Sequence, residues 1–181
     1  GRIAYPKNGV RLLKALHLFH EKHGFLPRVS WAGRDDSDVR STQMKRQMVE
    51  FLDTHPQVKA RFHFLGEVSA IDALYAQSDT LLSPSIYEGL PNVICEAMLS
   101  GCPVIASNVS DNSLILGEEG ERGFLCDPLS PADIAAAIER RLAATPQEIE
   151  QMVSLARAFA QQEFLIDKMV MHYNRIIACQ P

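Results

Sequence analysis

The residues best placed to do chemistry lie in one run, SPSIYEGLPNVICEAMLSGCPVIA, which begins at Ser83. It reads as a strand end and a Pro-Ser loop, then Glu88-Gly89-Leu90-Pro91-Asn92, then a helix over residues 91–100. That helix carries Glu96 and stops at Gly101, with Pro103 just beyond. The first turn of a helix has free backbone N–H groups and about half a unit of positive charge, which suits a phosphate. Gly89 lets a ligand come close to the backbone. Pro91 has no N–H to lose there, which leaves Asn92 and Val93 as donors. Glu88 and Glu96 flank that anion site, and a carboxylate can accept one hydroxyl of a vicinal diol on each oxygen. Diphosphate at a helix N-terminus, with sugars held by carboxylates on either side, describes a nucleotide-sugar. The residues alone leave a plainer reading open, in which Glu96 is a solvated helix residue and Glu88 a loop charge. Against it, an idle carboxylate at the edge of the apolar Val93-Ile94-Cys95 would be costly.

The elements that must position this run alternate β-like runs with amphipathic segments. That is the pattern of an α/β fold with a Rossmann-like parallel sheet flanked by helices. Strands are predicted over residues 28–32, 61–65, 80–83, 104–106 and 124–126, each running into Gly, Pro, Ser or Asp. A helix over 10–23 carries the stripe Leu12, Leu13, Leu16 and Phe19. Ser69-x-x-Asp72 reads as a loose capping box for 70–77. Ser130-Pro131-Ala132-Asp133 and Thr145-Pro146-Gln147-Glu148 are stronger helix starts. Segments 146–161 and 165–177 are amphipathic, with Met169, Met171, Ile176 and Ile177 read as ordinary packing, and Trp31 is read as core. Ligands of parallel sheets sit beyond the strand carboxyl ends, which singles out loops 1–9, GEVS after Leu65, and 84–92. No repeat or linker divides the chain, so residues 1–181 are read as one domain.

Composition narrows the function classes. With 46% apolar and 22% charged residues the chain resembles soluble globular proteins. A net charge of -4 without a Lys/Arg run argues against nucleic acid as the partner. No apolar stretch approaches the ~18 residues that span a bilayer, and no secretory signal opens the chain. It does not begin with Met, so it is read as a piece of something longer. Cys95, Cys102, Cys126 and Cys179 are scattered without a C-x-x-C pair, which suits reduced thiols in the cytoplasm. His17, His20 and His23 drift about 60° per step around their helix, with no carboxylate or Cys to complete a ligand set, and are read as a solvated face. Asp36-Ser37-Asp38 has the spacing of a metal motif but reads as the polar start of a helix.

Glu88 and Glu96 with seven residues between them, inside EGLPNVICEAMLSGCPVIAS, resemble the E-x7-E signature of retaining glycosyltransferases of family 4, which have the GT-B fold. Gly1-Arg2 followed by Lys7 is similar to that family's G-R-x-x-x-x-K segment. RFHFLGEV, AIDALYAQSD, TLLSPS and GFLCDP resemble the rest of its donor-binding half, in the same order. The resemblance implies that Arg2 and Lys7 contact the diphosphate and stabilise the charge on it as it leaves. It gives Glu88 to the hydroxyls of the donor sugar and Glu96 to the ribose diol. Backbone at Gly89, Leu90, Asn92 and Val93 would meet phosphate and sugar, and backbone near Val68 would face the base. The implied donor is a UDP- or GDP-sugar, with no obligatory metal or other cofactor. The acceptor, a sugar, lipid or glycan, would bind the N-terminal domain absent from this chain, as would any membrane.

Three departures qualify the resemblance. Asn8 stands where the family has Gly, with Gly9 one step later, and SNVSDNSLILGEEGERG is looser than the usual Gly-rich stretch. A chain starting at Gly1 also lacks the strand that would stand central in such a sheet, so a gap is expected there. The alternatives are a nucleotide-sugar epimerase of the same fold and a non-catalytic nucleotide-sugar-binding module. The want of a G-x-G-x-x-G between strand and helix argues against a dehydrogenase.

Overall fold

The structure, a computed structural model, describes residues 1–118 and 120–164 together with positions 170, 171, 174, 175 and 177. Apart from those five positions, the amphipathic segment expected over 165–177 lies outside the described residues, as does Cys179.

All five predicted strands form: β1 (Val29–Ala32), β2 (Phe62–Gly66), β3 (Leu81–Ser83), β4 (Val104–Ser107) and β5 (Phe124–Cys126). Every pairing is parallel. The helices between them are α1 (Gly9–His23), α2 (Val39–Thr54), the short α3 (Pro56–Lys59), α4 (Ile71–Ala76), α5 (Asn92–Ser100), α6 (Asn112–Leu116), α7 (Pro131–Ala143) and α8 (Pro146–Glu163). Among the described residues none is long and apolar enough to cross a membrane.

The helix starts follow their side chains. Thr145 and Glu148 make the full reciprocal capping box of α8, and Ser130 accepts the Asp133 N–H at the head of α7. Asp38 accepts the N–H groups of Arg40 and Ser41 to start α2, the role read for Asp36-Ser37-Asp38. Ser69 does not cap α4: Ala70 stands at that position with no side-chain bond. This six-residue helix is held by packing on α5 instead. Helix α5 ends on Gly101 in the left-handed conformation, φ 76°.

Strand β4 is the wall between two cores. All four of its residues are buried, and their alternation sends Ile105 to one side and Val104 and Ala106 to the other. The first core gathers Leu12, Leu13, Leu16 and Phe19 of α1 with α2, α7 and Phe62. The second gathers Ile94, Ala97 and Met98 of α5 with Tyr75, Ala156 and Ala160. Cys95, Cys102 and Cys126 are buried, and burial pushes the Cys95 thiol up to about 11, so it acts as a small hydrophobe. Trp31 is only half-buried. Its indole needs an acceptor, and Nε1 donates to the Gly1 carbonyl at 2.9 Å. The histidines of α1 are less solvated than expected. His17 packs on the rings of Phe51 and His55, and Glu139 from α7 reaches His23 at 3.0 Å.

The expected gap is present. β1 pairs with β2, and β3, β4 and β5 form a second sheet in that order, with no pairing between β1 and β3 among the described residues. A cavity of about 760 Å³ lies between them, walled by Leu12 and Leu16 of α1, Val29 and Trp31 of β1, and Leu81 and Leu82 of β3. Residues 1–3 run out of it parallel to β1: the Gly1 nitrogen donates to the Ala32 carbonyl at 2.7 Å, and Ile3 bridges Asp35. Four or five β-branched residues added directly before Gly1 should therefore pair with both edges. Thermal unfolding should show a higher Tm, by about 2–4 °C for each kcal/mol gained. An unchanged Tm would mean that the cavity does not accept a strand.

Candidate functional site

The site lies at the carboxyl ends of β3, β4 and β5, where residues 1–9 cross loop 84–92. Asn8 makes the crossing. It is 3% exposed and sits at φ 62°, ψ 34°, a left-handed conformation that Asn tolerates better than most residues. Its Nδ2 donates to the carbonyls of Pro84 at 2.9 Å and Pro128 at 2.7 Å, the segments just after β3 and β5. The departure at Asn8 thus supplies a clamp that Gly could not. Beside it the Ile86 N–H donates to the Pro6 carbonyl at 2.8 Å. A Cβ on Gly9 would run into the end of the Met48 side chain, so the glycine leaves that side chain its room in the core.

The clamp brings two of the expected residues into contact. Lys7 Nζ meets Glu88 Oε1 at 2.5 Å, both side chains being largely buried. The Glu88 backbone is fixed separately, because Ser110 Oγ donates to its carbonyl at 2.7 Å. Ser107 Oγ holds the same loop further back through the Ser85 carbonyl, and Asn112 Nδ2 holds Ser107. None of these supports was read from the sequence. Asp111, Glu118 and Glu121 of the segment containing them are exposed.

Arg2 and Glu96 are placed differently. Arg2 is exposed and pairs with Asp36 at 2.6 Å. Its neighbour is pinned by Trp31 and by Gly33, where a Cβ would lie 1.9 Å from the Gly1 oxygen. Glu96 is exposed on α5, and the buried Tyr75 donates its hydroxyl to Glu96 Oε2 at 3.1 Å. Tyr75 was not singled out in the sequence. The only signal for it was its place in AIDALYAQSD, one helix before the E-x7-E run.

The loop between Glu88 and α5 is open. Leu90 is 62% exposed, and a Cβ on Gly89 would meet nothing within 4 Å, so no protein atom demands glycine there. The helix begins at Asn92, with Pro91 one step earlier than expected as its N-cap. The Asn92 N–H donates to the Leu90 carbonyl at 3.0 Å, so it is engaged rather than free as expected. Val93 is half-buried on the first turn of α5, and Val68 lies half-buried in the connection from β2 to α4.

A sequence model of the family described as glycosyl transferases group 1 matches residues 1–144. An uncharacterised glycosyltransferase of Methanocaldococcus jannaschii is 31% identical over 144 residues, 78% of this chain and 34% of that protein. The chain spans about a third of the length of the curated relatives it matches. The crystal structure of Anabaena HepE in complex with UDP-glucose matches with a TM-score of 0.84 at 23% identity, covering 99% of this chain and 47% of that one. The C-terminal domain of a glycosyl transferase group 1 protein (LpcC) of Francisella tularensis matches with a TM-score of 0.77 at 20% identity, covering 92% and 84%. At these identities the structures show the fold alone, a Rossmann-like α/β unit that forms one half of a GT-B fold.

The clamp carries a stability prediction. Asn8→Ala leaves two buried carbonyls without their donor and sets in left-handed backbone a residue that tolerates it less well than Asn, and should cost about 2–4 kcal/mol in chemical denaturation. Asn8→Gly should cost about 1 kcal/mol less, since Gly adopts that conformation freely. Equal losses would show that the backbone conformation contributes nothing.

Proposed function

Because this chain belongs to the glycosyl transferases group 1, we propose that it is the donor-binding half of a retaining, family 4 type glycosyltransferase. In this reading it holds a UDP- or GDP-sugar whose hexosyl group passes to an acceptor on another domain of the longer protein. The observation that carries the reading is the ion pair of Lys7 with Glu88 in the loop that leads into the amino end of α5, with Glu96 exposed on that helix. Gly89, required by no neighbouring atom, leaves the approach to that end open. The binding of UDP-glucose by the Anabaena protein of the same fold supports a nucleotide-sugar as the ligand.

The chemistry follows from where charge develops. As the glycosidic bond to the diphosphate breaks, negative charge grows on the leaving oxygen. Arg2, Lys7 and the first turn of α5, with backbone at Leu90 and Val93, are the positive groups that stabilise it. Arg2 sits in an exposed ion pair worth little, so it exchanges Asp36 for phosphate at small cost. Lys7 turns from Glu88 toward the diphosphate, which frees Glu88 to accept the sugar's hydroxyls. Glu96 takes the ribose diol, and backbone near Val68 takes the base. Cations from side chains fill the place that a metal would otherwise hold, so no metal is obligatory. Scattered cysteines without a C-x-x-C pair fit a cytoplasmic setting.

Calorimetric titration with UDP and GDP, in the absence of divalent metal, tests the reading. One of the two should bind, and Glu96→Ala should weaken it by about ten- to a hundredfold, the range for hydrogen bonds to a charged group. Glu88→Gln should leave the bare nucleotide unharmed, because it releases Lys7, yet weaken the sugar-nucleotide. If both substitutions act alike on the two ligands, the division of roles is wrong. Retention is checked on the longer protein by the anomeric configuration of its product, and an inverted product would overturn it.

A further inference from the structure

Tyr75 is built in a way that packing alone does not require. Its ring belongs to the second core, beside Ile94, Ala97 and Met98 of α5, and the residue is 6% exposed. A phenylalanine would fill that space equally well. The hydroxyl, however, emerges at the edge of the core and donates to Glu96 Oε2 at 3.1 Å. The Val93 carbonyl lies 3.4 Å away, too long to compete strongly for the single proton. Burial, and then the Glu96 charge, push the phenol up, so it stays protonated and remains a donor.

Glu96 itself is exposed, on a side chain with several rotatable bonds. To accept both hydroxyls of a vicinal diol, its carboxylate plane must be fixed, and an exposed glutamate would lose that freedom on binding. A donor anchored in the core removes the loss beforehand. Resting on the proposed function, we propose that Tyr75 is the positioning residue of the nucleotide site: it orients the Glu96 carboxylate for the ribose diol and thereby sets selectivity for ribonucleotides. The sequence places the two residues on successive helices, α4 and α5, which pack on each other, so the pair joins the short α4 to the ligand. The short α4 thereby becomes part of the binding apparatus.

The test compares UDP and GDP with their 2′,3′-dideoxy analogues by calorimetry, on the wild-type protein and on Tyr75→Phe. The wild type should prefer the ribonucleotide by about tenfold or more. In Tyr75→Phe that preference should fall by about three- to tenfold, with affinity for the dideoxy analogue almost unchanged. A merely structural role would lower both affinities together and leave the ratio intact, and that result overturns the inference while leaving the proposed function standing. A wild type that binds both analogues equally removes the ribose role of Glu96, and the inference falls with it. Should Tyr75→Phe fail to fold, 4-fluorophenylalanine at position 75 fills nearly the same volume without a donor and is read by the same ratio.

Discussion

The buried amide of Asn8 is the contact on which the arrangement of the site depends. Carbonyls just beyond a strand have left the ladder and need donors from elsewhere. Those of Pro84 and Pro128 find both in one side chain. The two carbonyls follow β3 and β5, on either side of β4, so a single residue ties together the connections at one end of the sheet. The left-handed backbone of Asn8 then turns the chain directly into α1, whose apolar face fills the first core. Position, conformation and hydrogen bonding are satisfied together by a residue type that can serve all three.

From that fixed point the charges acquire their places. Lys7 precedes Asn8, so its stem leaves the clamp toward loop 84–92 and meets Glu88. Such a pair, partly buried, gains by attraction roughly what it loses in desolvation, so its presence says little about stability. It does say that the two side chains share one space and can be parted by a competing anion. The Glu88 carbonyl is held by Ser110, so the loop keeps its course whichever partner the side chain takes. Under the proposed function this separation matters, since backbone geometry is preset while the charged groups remain exchangeable.

Strand β4 and the cavity show how the frame tolerates an incomplete sheet. With all four residues buried and alternating between two cores, β4 couples the α1, α2 and α7 layer to the α5 and α8 layer. The β1–β2 pair shares the first core with α1, which packs on both α2 and α7, while Leu12 and Leu16 face the cavity. Helix packing thus bridges what hydrogen bonding between β1 and β3 does not.

The sequence by itself determined the parallel α/β frame, five strands in their places, the capped starts of α2, α7 and α8, and the chemical types gathered near α5. These follow from local causes: alternation, stripe, cap and breaker act over a few residues. The gap between β1 and β3 was also legible, because it follows from strand order. Tertiary structure alone decided the rest. Asn8 read as a departure from a glycine and proved to be a clamp, because its two acceptors lie 76 and 120 residues away. Ser110 and Tyr75 gained their roles from partners 22 and 21 residues distant, on other elements. Asn92 lost its expected free N–H to the Leu90 carbonyl through the bend made before α5 begins, and Trp31 packs at the rim of the first core, where its indole reaches Gly1. Residue type fixes what a side chain can donate or accept, but only the folded chain decides which distant group arrives to meet it.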